Sequence, residues 1–247
     1  PSWFGATTPF WFATILALAN CASILTMFPE TLKEKFHGGR IKISRAVSNV
    51  VGGFKSDRLR VVLMAGFLFS AGFTFFTTFF GVYLRNNFNF SSAKIGDYFA
   101  IVGLFIAISQ AVVVAKVAKK LADWKVLRFS MFGLGAMMLV YFVIPTTSSY
   151  FLYLVIPFFT LFNGLTMANM SSLISRSAEM GQQGQAMGIY SSVSSLAQVP
   201  ASILVGYITS DITSSQPLFV SSACIILGGA VFFVLFKPKY VMENAHA

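Results

Sequence analysis

Charge is what this sequence has least of. Only 11% of its 247 residues are Asp, Glu, Lys or Arg, and just 8 are acidic, where a soluble domain carries about a quarter charged residues. Histidine is reduced to His37 and His246, cysteine to Cys21 and Cys224. Neither a metal-ligand spacing nor a disulfide framework can be built from these, and both cysteines lie in apolar runs as small packing residues. There is no HExxH, no GxSxG and no glycine-rich phosphate loop. An enzyme therefore has little chemistry to stand on, and neither metal nor cofactor is expected. No signal peptide is recognisable, because no basic stretch precedes the first apolar run and no small-residue cleavage site follows it. A chain that begins at Pro1 reads as a piece of a longer one.

What fills the sequence is apolar. Hydrophobic residues make up 56%, Phe alone numbers 28, and the mean hydropathy is +0.74. A soluble fold of this size could not cover so much apolar surface, whereas a bilayer lets the outer face of each helix meet lipid. A helix needs roughly 20 apolar residues to cross the hydrocarbon core. Seven stretches qualify: Phe10–Phe28, Val61–Leu84, Ile95–Ala115, Phe129–Ile144, Tyr150–Ile174, Ala186–Ile208 and Pro217–Phe236. The fourth is short and could extend back to Val126. The fold expected is an all-α integral membrane protein.

The net charge of +10 would suggest nucleic acid in a soluble protein, but its placement argues for a membrane. All but two of the 18 basic residues, Arg85 and Lys94, fall in alternate connections: residues 29–60, residues 116–128, Arg176, and the tail with Lys237 and Lys239. Positive charge favours the cytoplasmic side. The N-terminus is then outside, and the long loop and C-terminus are inside. Segments follow as 1–28, 29–60, 61–236 and 237–247. Within the long loop, Ile41, Ile43, Val47, Val50 and Val51 alternate with polar residues. They could form a short amphipathic surface helix or belong to a mobile basic linker.

The spans hold almost no ionisable group. Asp97 lies near one end of the third and Arg85 near one end of the second. A charge at midplane costs at least ~2.5 kcal/mol and is usually there for a function, so this stretch has no evident proton relay. Neutral polar groups remain: Asn20, Gln110, Asn163, Asn169 and Gln198. Helix–helix hydrogen bonding would account for each of them, as would a solute-binding cavity. In the second span, helical spacing puts Phe73, Phe76, Thr77 and Phe80 on one face, which suits an amphipathic solute and suits lipid equally. Gly133, Gly135, Gly188, Gly228, Gly229 and the serines of residues 191–195 read chiefly as close-packing positions.

Several segments resemble the C-terminal half of the major facilitator superfamily, in particular its drug:proton antiporters and tetracycline-efflux-like members. They are Thr8-Pro-Phe-Trp11 with Phe28-Pro-Glu-Thr31, Phe90-Ser-Ser-Ala-Lys-Ile-Gly96 with Ser109-Gln110, the basic run Ala115–Ala122, and Ile174-Ser-Arg176 with Gln183-Gly184. Ala115 and Ala122 stand where the family often has Gly, and Val199-Pro200 where it often has Gly-Pro. The resemblance implies that the seven spans are the last helix of an N-terminal half plus a six-helix C-terminal bundle. It implies secondary active transport by alternating access, with proton-coupled efflux of a hydrophobic or amphipathic solute. The partners implied are that solute, the lipid bilayer, a proton, and the absent N-terminal half. In this scheme Phe73, Phe76, Thr77, Gln110, Asn163 and Asn169 contact the solute. The expected membrane is the plasma membrane, in a bacterium the inner one. Two alternatives stay open: uptake or facilitated diffusion of a nutrient, and a non-transporting receptor or scaffold.

Overall fold

The computed structural model describes residues 8–27, 43–118, 120–178, 181–208 and 215–238, and among them every regular element is helical. Outside the described residues lie Phe28-Pro-Glu-Thr31, the basic residues Lys33, Lys35, Arg40 and Lys42, both histidines, Lys119 and Lys239. The chain divides into two compact units, residues 1–42 and 43–247. The first contributes α1 (Thr8–Met27), 20 residues without a charge and long enough to cross a bilayer. The hydroxyls of Thr14, Ser23 and Thr26 each bond a carbonyl four residues earlier, so none of the three protons is left facing an apolar surrounding.

The second unit holds α2 (Ile43–Lys55), α3 (Arg60–Phe88), α4 (Ser92–Ile108), a π-helical turn (Ser109–Val114), α5 (Ala115–Ala118), α6 (Asp123–Val143), α7 (Tyr150–Ser177), α8 (Gln183–Ile208) and α9 (Gln216–Leu235). Six of its helices span by length and hydropathy, α4 together with its π turn. The protein is an all-α, multi-pass membrane protein. α2 is the amphipathic alternative for the basic segment: Val50 and Phe54 pack on Leu63 of α3 and on Ile189 and Val193 of α8. α6 begins at Asp123, six residues before the expected Phe129. Lys125 and Arg128 therefore belong to its first turns rather than to a loop. Arg128 can sit there because its guanidinium stacks over Trp124 and Phe233 and donates to the Phe236 carbonyl at 3.0 Å.

Five of the six spans, α3, α9, α6, α7 and α8, close a ring, and α4 packs against α7 and α3. α3 packs along α9 on one side and α8 on the other; α9 continues onto α6, α6 onto α7, and α7 meets α4, the π turn and α8. Close approaches are made at α9. Ser221 Oγ donates to the Gly72 carbonyl of α3 at 2.6 Å, and Ser222 Oγ to the Gly135 carbonyl of α6 at 2.7 Å. A Cβ on Gly72 would stand 2.8 Å from the Ser221 carbonyl oxygen, and one on Gly135 2.5 Å from Ile226 Cγ1. Only glycine lets the backbones come that close.

Between α3, α4, α6 and α7 the core is aromatic. Phe76 stacks on Phe80 at 4.5 Å between ring centroids and meets Phe159 at 4.9 Å. Three buried tyrosines satisfy one another there: Tyr83 donates to the Tyr141 carbonyl at 2.7 Å, and the hydroxyls of Tyr98 and Tyr141 lie 2.9 Å apart. Gly72→Ala is expected to force α3 from α9 at a cost of ~1–3 kcal/mol, as overpacking does, whereas Ser221→Ala loses a hydrogen bond worth ~0.6 kcal/mol. Thermal unfolding in detergent checks the order, and a Gly72→Ala midpoint no lower than that of Ser221→Ala would contradict the tight contact.

Candidate functional site

A groove of about 470 Å³ opens between α3 and α8, with Met167 contributed by α7. α3 lines it with Phe69, Ser70, Phe73, Thr74 and Thr77, and α8 with Tyr190, Ser191, Ser194, Ser195 and Gln198. Both sets recur every three to four residues, the spacing of one helical stripe, so two stripes face each other. The helices are joined across the groove by Ser70 Oγ donating to Ser194 Oγ at 3.0 Å. The Tyr190 ring lies over Gly66, where a Cβ would come within 2.7 Å of Cε2.

Three other hydroxyls bond their own helices. Thr74 donates to the Ser70 carbonyl at 2.8 Å, Thr77 to that of Phe73 at 3.1 Å, and Ser195 to that of Ser191 at 3.0 Å. Each of these protons is thus engaged, while the oxygen lone pairs remain as acceptors; the Gln198 amide brings both donor and acceptor. Among the described residues no charged one lines the groove. Charges sit at helix ends instead: Asp123 accepts from Ser172 Oγ at 2.6 Å and pairs with Arg176 Nε at 3.1 Å. A larger recess of about 590 Å³ between α6 and α7 is lined by apolar residues such as Leu139, Val143 and Phe151, with no polar side chain among the described residues to orient a solute.

Of the residues expected at a cavity, the structure brings Phe73 and Thr77 to the groove. Phe76, one helical step around, points into the aromatic core and is only 4% exposed. Asn169 is buried and donates to the Leu165 carbonyl at 2.7 Å. Asn163 is buried with its Oδ1 unpartnered. Gln110 is exposed in the π turn, its Nε2 3.5 Å from where a Cβ on Gly164 would stand. Those four do not line the groove. Sequence reading passed over Ser70 and Tyr190, and it took the serines of α8 for packing positions. Their signal was present in the hydroxyl stripe of α8, which matches in period that of Ser70, Thr74 and Thr77. Gly188, beside that stripe, has nothing within 4 Å of a built Cβ, unlike a packing glycine.

Among the described residues the arrangement offers stacking surface, acceptors and an amide, a combination suited to holding an uncharged, amphipathic molecule.

The family model of the Major Facilitator Superfamily matches residues 2–202. Among curated proteins, "Hippocampus abundant transcript-like protein 1" of Rattus norvegicus is 26% identical over 265 residues, an alignment covering 92% of this chain and 50% of that protein. The Mus musculus protein of the same name is 27% identical over the same shares, and that of Bos taurus 25%, covering 89% and 45%. The chain spans about half the length of the curated relatives it matches.

With Cys21 and Cys224 changed to Ala, Thr77→Cys and Ser195→Cys are expected to react far faster with a water-borne methanethiosulfonate than Phe76→Cys or Asn169→Cys. Equal labelling at Thr77 and Asn169 would remove the groove as the water-filled face.

Proposed function

Because the chain belongs to the major facilitator superfamily, a family of membrane transporters, we propose that it forms one wall of the solute pathway in a longer protein that exports an uncharged amphipathic small molecule. The observation that carries this reading is the groove between α3 and α8. Phe69, Phe73 and Tyr190 offer apolar faces, the Ser and Thr oxygens offer acceptors, and among the described residues no charged one lines the groove to pair with a charged solute. A charged group brought out of water would find no partner there and bind poorly. In this proposal a second six-helix half supplies the facing wall, and the two halves rock about a midplane site.

The coupling ion is a proton. Within the described spans the carboxylates, Asp97 and Asp123, stand near helix ends, so the group that binds the proton belongs to the other half. The basic connections face the cytoplasm and the α3–α4 turn with Arg85 and Lys94 faces outside, by the excess of positive charge. The plasma membrane is the proposed location. The hydroxyl stripe of α8 supports a second reading, uptake of a neutral polyhydroxylated nutrient such as a sugar.

Reconstitution of the longer protein in liposomes separates the two. An uncharged amphipathic dye is expected to move against its gradient when a pH gradient is imposed. Ser194→Phe, which fills the groove, is expected to abolish that movement, while Asn169→Ala retains most of it. Dye transport that survives Ser194→Phe would remove the groove as the pathway. Movement of a labelled sugar without a pH gradient, and no movement of dye, would establish the second reading instead.

A further inference from the structure

Where α6 begins and α9 finishes, positive charge collects at the margin of the spans. Arg128 stands five residues into α6, about 7.5 Å along its axis. Its guanidinium is already engaged. It lies over the Trp124 and Phe233 rings, 4.9 and 5.0 Å from their centroids, and donates to the Phe236 carbonyl at 3.0 Å. Phe236 caps α9, so this bond satisfies a carbonyl that the helix end leaves without an intrahelical partner. Arg128 fastens α6 to α9 and is not itself the ligand's contact.

Two further cations flank it. Lys125 lies three residues before Arg128 on α6, and Lys237 directly follows Phe236; both are exposed. The Lys125 ammonium rests 5.3 Å from the Trp124 centroid. Among the described residues neither lysine makes a hydrogen bond or an ion pair. The acid next to them in sequence, Asp123, is turned to α7, where it accepts from Ser172 and pairs with Arg176. Beside these charges the surface is apolar. Phe233 and Val234 are 56% and 75% exposed, and Phe132 meets Phe233 edge-on across the two helices at 6.5 Å. In a multi-pass protein such exposed side chains face acyl chains. Trp124 is half-buried between the two zones, and its ring type settles at the level of the headgroups.

We infer that this edge of the bundle binds an anionic glycerophospholipid, its phosphate against Lys125 and Lys237 and its acyl chains along Phe233 and Val234. Charge complementarity selects the headgroup, because cations at the hydrocarbon margin attract a phosphate more strongly than they do in bulk water. The adjoining apolar surface selects a lipid over a soluble anion, which would leave Phe233 and Val234 uncovered. Bound there, the lipid shields the contact by which Arg128 joins the two helices. The site involves α6 and α9, not the α3 and α8 of the groove, and depends neither on the solute nor on the direction of transport.

Trp124 itself reports the result, since bromine on an acyl chain quenches a tryptophan it touches. The test uses the longer protein with Trp3, Trp11 and any tryptophan of the other half changed to Phe. It is reconstituted in two membranes of identical headgroup composition, phosphatidylcholine with phosphatidylglycerol. In one the phosphatidylglycerol is brominated, and in the other an equal amount of the phosphatidylcholine. Phosphatidylglycerol is expected to be enriched beside Trp124 by about fivefold or more over its share of the membrane. The double variant Lys125→Gln, Lys237→Gln is expected to remove that preference. Arg85→Gln with Lys94→Gln, on the far side of the membrane-spanning segments, is expected to keep it. Should the single-tryptophan protein fail to fold, the lipids retained by the otherwise unaltered protein in native mass spectrometry give the same comparison. Equal quenching or equal retention of the two lipids, a preference that survives the lysine pair, or one lost to the same extent with Arg85→Gln and Lys94→Gln overturns the site. Stabilisation by free glycerol phosphate in pure phosphatidylcholine, equal to that by phosphatidylglycerol, would overturn the lipid assignment. Lost transport with this lipid preference intact counts against the transport reading alone.

Discussion

How closely α9 can approach α3 and α6 governs the rest of this bundle. In lipid the helices gain nothing by hiding apolar surface from one another, so packing contacts and interhelical hydrogen bonds must hold them. Ser221 and Ser222, adjacent on α9, reach the carbonyls of Gly72 and Gly135 on two different helices. Each bond forms where the recipient has no side chain to keep the backbones apart. With α3 held on α9 along one side, its opposite side is presented to α8. The groove between α3 and α8 therefore depends on a contact on the far side of the same helix.

α3 is consequently a boundary between two environments. Toward α6 and α7 it lays Phe76, Phe79, Phe80 and Tyr83 into a core where rings pack on rings. Toward α8 it lays Ser70, Thr74 and Thr77. Hydroxyls occur on both sides but are satisfied differently. The core tyrosines bond groups on other helices and so hold the packing together. Thr74 and Thr77 bond their own backbone and leave the groove unobstructed. A short side chain can return to its own preceding turn, as Thr74 and Thr77 do, or cross to a helix that comes close, as Ser70 and Ser221 do; the longer phenol must find its partner on another helix.

The existence and order of the spans were legible in the sequence because an unbroken run of about 20 apolar residues matches the thickness of a bilayer's hydrocarbon core. The start of α6 was not, because Lys125 and Arg128 look like loop residues until Trp124 and Phe233 are seen to shelter the guanidinium. Asp123 was the missed sign, an acid suited to a helix's first turn. For the site, Phe73 and Thr77 were readable as one face of α3. The division between Phe73 and Phe76 was not, since it depends on which neighbour each side of the helix meets. The serines of α8 illustrate the same limit. Small residues permit close packing or line a space according to what stands opposite, and that is a tertiary fact.

The π turn at Ser109–Val114 has a further effect. A π turn takes up one residue more than an α-turn, so it acts on a helix as a single inserted residue. The stretches before and after it keep their own faces, but the count of residues linking those faces is off by one. A helical wheel drawn straight through α4 and α5 therefore assigns every position beyond Val114 about 100° from where it stands. By the same reasoning, this span can shed a residue within Ser109–Val114 and heal to a regular helix without turning Tyr98 or Lys116 from their present directions. What it would lose is the local displacement that sets Ser109 and Gln110 against Gly164.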